Sequence, residues 1–255
     1  MTTATPERLR ARLNVIAHSG HPIAGPLMAG TVDTIIPLLG FEYGAHVLDI
    51  GCGAAEWLIR LIDRTGCNGE GFDTSEEMLA EARSQAEYRL VDPQQLVLRH
   101  EDARLCQPKE PYDAAICTGS THAVGGLDAA LALIARVVRP GGRVLLSEGF
   151  WEQPPSEAQK AALGGGAALL GLAETLDAMV GAVFAPLYWH VISQAEWDDY
   201  ESMWSGSVEK FAIDHPDDAD APALVDLARR HRDSYLKGYR GSLGYVTCIL
   251  SAPKG

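Results

Sequence analysis

The 255-residue chain is poor in positive charge, in cysteine and in long apolar runs. Lysine and arginine number 21 against 34 aspartates and glutamates, a formal net charge of −13. That balance disfavours DNA, RNA and anionic membranes as partners, because phosphate binding rests on Lys/Arg neutralisation. The five cysteines, Cys52, Cys67, Cys106, Cys117 and Cys248, are odd in number, scattered and without metal-ligand spacing. They read as reduced thiols of a cytoplasmic protein, with neither a disulfide framework nor a metal site expected. Arg8, Arg10 and Arg12 are followed by His18, Gly20, His21 and Pro22, which break up any apolar run. Neither a signal peptide nor a membrane span is expected. Repeats are absent, and no linker is long enough to mark a second domain. A 47% hydrophobic composition at this length supports one large α/β domain.

The most informative stretch runs from Val47 to Glu56. Val47, Leu48 and Ile50 form a short β-prone run, and Gly51 and Gly53 allow a tight turn and close approach of a ligand to the backbone. Trp57, Leu58, Leu61 and Ile62 then recur at helical spacing. Strand, glycine turn and helix in this order form the nucleotide site of open α/β sheets. A dinucleotide fingerprint G-x-G-x-x-G rests a pyrophosphate on the helix N-terminus. Here Glu56 stands at the third glycine position and Asp49 ends the strand. Two carboxylates repel a pyrophosphate but suit a ligand with cationic groups, such as S-adenosyl-L-methionine with its ammonium and sulfonium.

Gly69 to Asp73 reads as a second strand, and Asp73 lies about 20 residues beyond the turn, where a carboxylate accepts from ribose hydroxyls. Thr74-Ser75-Glu76-Glu77 offers a capping box to a helix that buries Met78, Leu79, Ala82 and Ala86. Leu96–Leu98 is a third strand, followed by Asp102 and Ala103, where an acid can accept the adenine amino hydrogen. Tyr112–Cys117 is a fourth strand that ends in the polar loop Thr118-Gly119-Ser120-Thr121-His122. Arg139-Pro140-Gly141-Gly142 ends the next helix, and Arg143–Ser147 is a fifth strand that delivers Glu148 to the same sheet edge. Further on, residues 157–180 read as helix in two pieces interrupted at 164–166, Ala182–Val191 as a sixth strand, and Leu243–Ser251 as the last. Residues 6–17 and Val32–Leu39 read as helices of an N-terminal arm, which either packs on the sheet or covers the site.

The pattern resembles the class I S-adenosylmethionine-dependent methyltransferases. The carrying residues are Val47-Leu48-Asp49-Ile50-Gly51-Cys52-Gly53, Gly71-Phe72-Asp73-Thr74-Ser75 with Met78 and Ala82, Glu101-Asp102-Ala103, Pro111-Tyr112-Asp113 and Arg139-Pro140-Gly141-Gly142. The resemblance extends to a bacterial branch of uncharacterised small-molecule methyltransferases. It does so through His21-Pro22-Ile23 with Pro26-Leu27, through Glu196-Trp197-Asp198-Asp199-Tyr200-Glu201, and through Arg232-Asp233-Ser234-Tyr235-Leu236 with Leu243-Gly244-Tyr245. It implies a Rossmann-like, seven-stranded, mostly parallel sheet with an antiparallel last strand and helices on both faces. It also implies a single domain with an arm at 1–44, a cofactor core at 45–150 and substrate-side elements at 151–255, including a helical insertion at 196–240. The cofactor contacts it implies are Asp49, Gly51, Cys52, Gly53, Glu56, Asp73, Thr74, Met78, Asp102, Ala103 and Thr118. Many members carry a glycine where this chain has Ala55, so crowding without loss of the site is expected there.

The leading expectation is methyl transfer from S-adenosyl-L-methionine to an O, N or C nucleophile of a small molecule. The alternatives are a non-catalytic S-adenosylmethionine sensor and a nicotinamide-dependent oxidoreductase. A general base is needed only when the acceptor arrives protonated. The candidates are His122, His21 and Glu148, with His190 behind them, and His122 has the best place in sequence, after the fourth strand. Trp151, Tyr188, Trp189 and Tyr239 are candidates for an apolar acceptor pocket, which would suit an aromatic or heterocyclic substrate.

Overall fold

The computed structural model describes residues 5–164, 169–181 and 184–253. Its strands are β1 (His46–Ile50), β2 (Asn68–Asp73), β3 (Leu96–His100), β4 (Tyr112–Thr118), β5 (Val138–Trp151), β6 (Ala185–Val191) and β7 (Leu243–Ser251). They form one seven-stranded sheet in the order β3-β2-β1-β4-β5-β7-β6. β1 to β5 pair in parallel, and β7 runs antiparallel between β5 and β6. The expected reversed last strand is therefore present. Around the sheet lie α1 (Pro6–His18), α2 (Ala29–Leu39), α3 (Glu56–Thr65), α4 (Glu76–Tyr88), α5 (Leu127–Val137), α6 (Glu157–Ala162), α7 (Leu172–Gly181), α8 (Gln194–Asp214) and α9 (Ala221–Ser234). A π turn, Tyr235–Tyr239, continues α9 toward β7.

Strand alternation divides the core between the two faces of the sheet. Val47, Ile116, Leu145, Tyr245 and Ile249 pack on the side of α2 and α3. Leu48, Ile50, Cys117, Leu146 and Val246 pack on the other side, with α5 and α7. By the same alternation Asp49 and Thr118 share the α3 face, whereas Glu148, between Leu146 and Phe150, shares the α5 face. The β5–β7 register depends on Gly244, where a Cβ would lie 2.2 Å from the Phe150 ring.

The arm is latched to the insertion. Leu13 and Ala17 of α1 pack with Trp204, Val208 and Leu224 of α8 and α9. Arg12 donates to Asp218 at 2.5 Å and to Asp220 at 2.6 Å, and its guanidinium stands 5.2 Å from the Phe211 ring centroid.

Several expected boundaries move, for physical reasons. Ser75 caps α4 by accepting from the Met78 N–H, but no reciprocal box closes, because the third helical residue is Met78 and not a glutamate. β5 starts at Val138, because the Pro-Gly-Gly turn is itself held to the end of β7: Gly141 N–H donates to Ala252 O, and Ala252 N–H to Gly142 O. Ala182 and Val183 of the expected sixth strand, and residues 165–168 of the expected two-piece helix with its interruption, lie outside the described residues. Trp189, expected among the pocket aromatics, is open to solvent. It sits on the edge strand β6, 54% exposed. Among the described residues no helix is long and apolar enough to cross a membrane, and no group of His, Cys, Asp and Glu is arranged to hold a metal ion.

Candidate active site

The glycine turn after β1 is built as its sequence demands. Gly51 has φ +69°, and a Cβ there would lie 2.5 Å from Ser120 Cβ. Its bareness lets the loop after β4 dock on the turn, where Ser120 Oγ donates to Ile50 O at 2.5 Å. Gly53 has φ +53°, and its N–H donates to Asp73 Oδ2 at 2.8 Å. Ala55 also adopts the left-handed region, φ 56°, as the N-cap of α3. The cost of alanine at this family glycine position is thus in the backbone, about 1–2 kcal/mol for a residue with a Cβ.

The three acids of the turn differ sharply. Asp49 is buried, and no donor among the described residues hydrogen-bonds its carboxylate. Burial, and after it the neighbouring Asp73 charge, push its pKa up to about 8. Asp73 is half-buried and accepts from Gly53 and Ser75 N–H groups, one on each oxygen, so lone pairs remain on both. Glu56 is also buried, but its charge is matched: Arg60 Nε donates at 2.5 Å and Arg89 at 3.0 and 3.1 Å. With its charge matched by two guanidinium groups, Glu56 does not supply the repulsion of a pyrophosphate expected of it. Glu56 and Arg89 still face a cavity of about 170 Å³ that Met78 and Ala54 line from the core and Val15, His18 and Pro22 from the arm.

The remaining expected cofactor residues surround the strand ends. Thr118 ends β4, half-buried. Met78 is buried, with its Cε 3.4 Å from the point where a Gly53 Cβ would stand. Cys52 is half-buried beside Gly71, where a Cβ would meet its sulfur at 2.7 Å. Thr74 is exposed, and its carbonyl takes a bond from His100 Nε2. Ala103 is buried. Asp102 caps the short turn that follows, and its carboxylate is held by the Arg104 guanidinium and backbone N–H.

The candidate bases divide into two groups. Glu148 and His122 come together on the α5 side. His122 is exposed, and burial raises the Glu148 pKa, opposed first by hydrogen bonding from Thr121 and the Gly149 N–H and least by the nearby imidazole. His21 lies in the arm, 7% exposed, with Nδ1 on Ile23 O at 2.8 Å. Its edge meets Tyr200, centroids 5.3 Å apart, and Trp197 bridges from Tyr200 to Tyr245 at 6.1 and 6.3 Å. His190 Nε2 stands 3.5 Å from Glu196. Of the other expected aromatic residues, Trp151 and Tyr239 are buried together with Tyr235 and Leu243, and Trp197 packs against that cluster and joins it to the Tyr200 group. Sequence reasoning missed Trp197, Tyr200 and Tyr245 as site candidates. Only their place in the motifs of the bacterial branch pointed toward them.

Comparison with known proteins places this geometry. A methyltransferase-domain family model matches residues 47–142. The uncharacterised protein YjhP of Escherichia coli is 30% identical over 234 residues, 89% of this chain and 93% of that protein. The chain belongs to the class I S-adenosylmethionine-dependent methyltransferases. A crystal structure of such an enzyme from Geobacter sulfurreducens, in complex with S-adenosyl-L-homocysteine, superposes with a TM-score of 0.84 at 28% identity, covering 94% of this chain and 97% of that one. A demethylmenaquinone methyltransferase of Bacillus licheniformis is 34% identical over 119 residues, 46% of this chain and 50% of that protein. This methyltransferase uses S-adenosyl-L-methionine, and the nicotinamide reading falls with that assignment. The residues fit the cofactor: a buried carboxylate without donors, Asp49, matches an ammonium, and Asp73 keeps acceptor capacity for ribose hydroxyls.

Proposed function

We propose that this methyltransferase acts on an oxygen, nitrogen or carbon nucleophile of a small aromatic or heterocyclic molecule. The observation that carries the reading is the aromatic group Trp197–Tyr200–Tyr245 under the arm, on the sheet face that Asp49 shares. Flat apolar walls favour flat ligands through ring-on-ring contacts. When bound, S-adenosyl-L-methionine supplies a methyl carbon on a good leaving group. The chain's own work is alignment and dryness, and positioning of this kind contributes on the order of 7–11 kcal/mol. Asp49 and Asp73 hold the cofactor side. On the acceptor side, His21 donates through Nδ1–H to Ile23 O, which fixes the tautomer and leaves the Nε2 lone pair to take a proton.

Methyl-labelled cofactor, offered with parallel panels of hydroxy- and amino-substituted rings and of aliphatic amines, acids and alcohols, tests the acceptor class. Label is expected in the ring panel, and label confined to aliphatic acceptors overturns the reading. With the best acceptor, His21→Gln should lower turnover about 10²-fold or more while the cofactor Kd holds. Full turnover at neutral pH in that variant would assign the proton to another group.

A further inference from the structure

The Tyr245 ring packs in the core, but its hydroxyl is a buried polar group with nothing to bond to. The residue lies on β7 opposite Gly149 and is 6% exposed. Ser147, the nearby hydroxyl, is close enough to oppose the rise in the phenol's pKa, but its geometry makes no hydrogen bond to Tyr245, and it is engaged with Thr247 Oγ1 at 2.8 Å. What faces the Tyr245 hydroxyl is bare backbone. A Cβ at Gly119, just past the end of β4, would lie 3.3 Å from it, and a Cβ at Gly25, in the arm, 3.4 Å from it. Two glycines thus stand where a side chain would crowd this oxygen, one at the strand end that borders the cofactor site and one in the strap over it. Beside it, Trp197 Nε1 is also buried without an acceptor.

A buried hydroxyl and a buried indole N–H without partners cost stability, because each has given up water for nothing. Such groups persist where a ligand completes them. Both are neutral donors here, and burial pushes the Tyr245 phenol up, away from ionisation at neutral pH. The group they complete therefore carries lone pairs.

We propose that Tyr245 is an acceptor-binding residue whose O–H donates to an oxygen lone pair of the methyl acceptor, with Trp197 Nε1 as second donor, when the Ala24–Gly25 strap lifts to admit it. This rests on the ring-acceptor reading above and narrows it. The acceptor is a ring that bears a carbonyl, phenol or enol oxygen next to the nucleophile.

The test is Tyr245→Phe in the full chain, read by melting, by S-adenosylhomocysteine binding and by turnover of the best ring acceptor. Deletion of an unpartnered buried hydroxyl should raise Tm by about 2–4 °C. The S-adenosylhomocysteine Kd should stay within twofold. kcat/KM should fall tenfold or more for the oxygen-bearing acceptor and stay within twofold for its analogue with hydrogen in place of that oxygen. A fall in Tm shows the hydroxyl to be structurally bonded and overturns the proposal. So does equal kcat/KM for both proteins on the oxygen-bearing acceptor. If the wild type methylates no ring acceptor, the acceptor reading falls and this proposal with it. If it does and Tyr245→Phe changes nothing, only this proposal falls.

Discussion

Binding of S-adenosylhomocysteine at pH 7 should expel most of one proton, and Asp49 is its source. Its carboxyl is buried beside the Asp73 charge without a donor, which places its pKa at about 8. At pH 7 about nine-tenths of it is then protonated. An ammonium brought against it favours the charged form and returns the pKa toward the ordinary carboxylate range. The proton leaves. The ligand's α-amino group, as in any free amino acid, is more basic than a chain terminus at about 7.8 and arrives almost fully protonated, so the net release stays at about 0.9. The same coupling makes binding about ninefold weaker at pH 6 than at pH 7. Calorimetry at pH 7 in buffers of different ionisation enthalpy reads the proton number as a slope. Asp49→Asn cannot titrate and should bring that slope close to zero. A wild-type slope near zero, or an equal release from Asp49→Asn, would refute the role of Asp49 as the cation's partner.

The same group fixes a stability trend in the free protein. Its folded pKa lies above the unfolded value of about 3.9, so between about pH 4 and pH 8 the native state binds more protons and stability falls as pH rises. The advantage of Asp49→Asn in urea unfolding should accordingly grow from pH 5 to pH 8, and a constant difference contradicts it. Asp73→Ala removes the carboxylate that accepts from the Gly53 and Ser75 N–H groups, one on each oxygen. Loss of its ribose bonds, about 1.5–3 kcal/mol, should weaken S-adenosylhomocysteine binding about 10- to 150-fold, and an unchanged Kd in a folded variant rules the ribose role out. Arg12→Ala cuts the latch to Asp218 and Asp220. That partly exposed pair is worth about 1 kcal/mol, so hydrogen exchange in α1 should speed up about fivefold, and unaltered exchange would mean that apolar packing alone holds the arm.

What was legible in the sequence was whatever local chemistry determines. Val47 to Glu56 could be read as strand, turn and helix because glycines at fixed offsets leave few alternatives. Leu243–Ser251 was readable as a strand from its uninterrupted β-prone run. Long-range compensation was not legible. Glu56 looks like a free acid until Arg89, 33 residues on, folds against it. Trp189 looks like a pocket aromatic until β6 proves to be the sheet edge. Asp49 and Glu148 both end up near strand tips, yet alternation sends them to opposite faces. Tyr245 illustrates the limit best. A buried tyrosine in an apolar strand looks the same in sequence whether or not its hydroxyl has a partner.

Transfer of a methyl group from S-adenosylmethionine to a small molecule can be read by incubation with methyl-labelled cofactor and a complete metabolite extract, followed by separation of small molecules from protein and nucleic acid. Label is expected in a ring-bearing small molecule, with one S-adenosylhomocysteine formed per methyl transferred. Tight S-adenosylhomocysteine binding with no labelled product, or label confined to the macromolecular fraction, would contradict small-molecule methyl transfer.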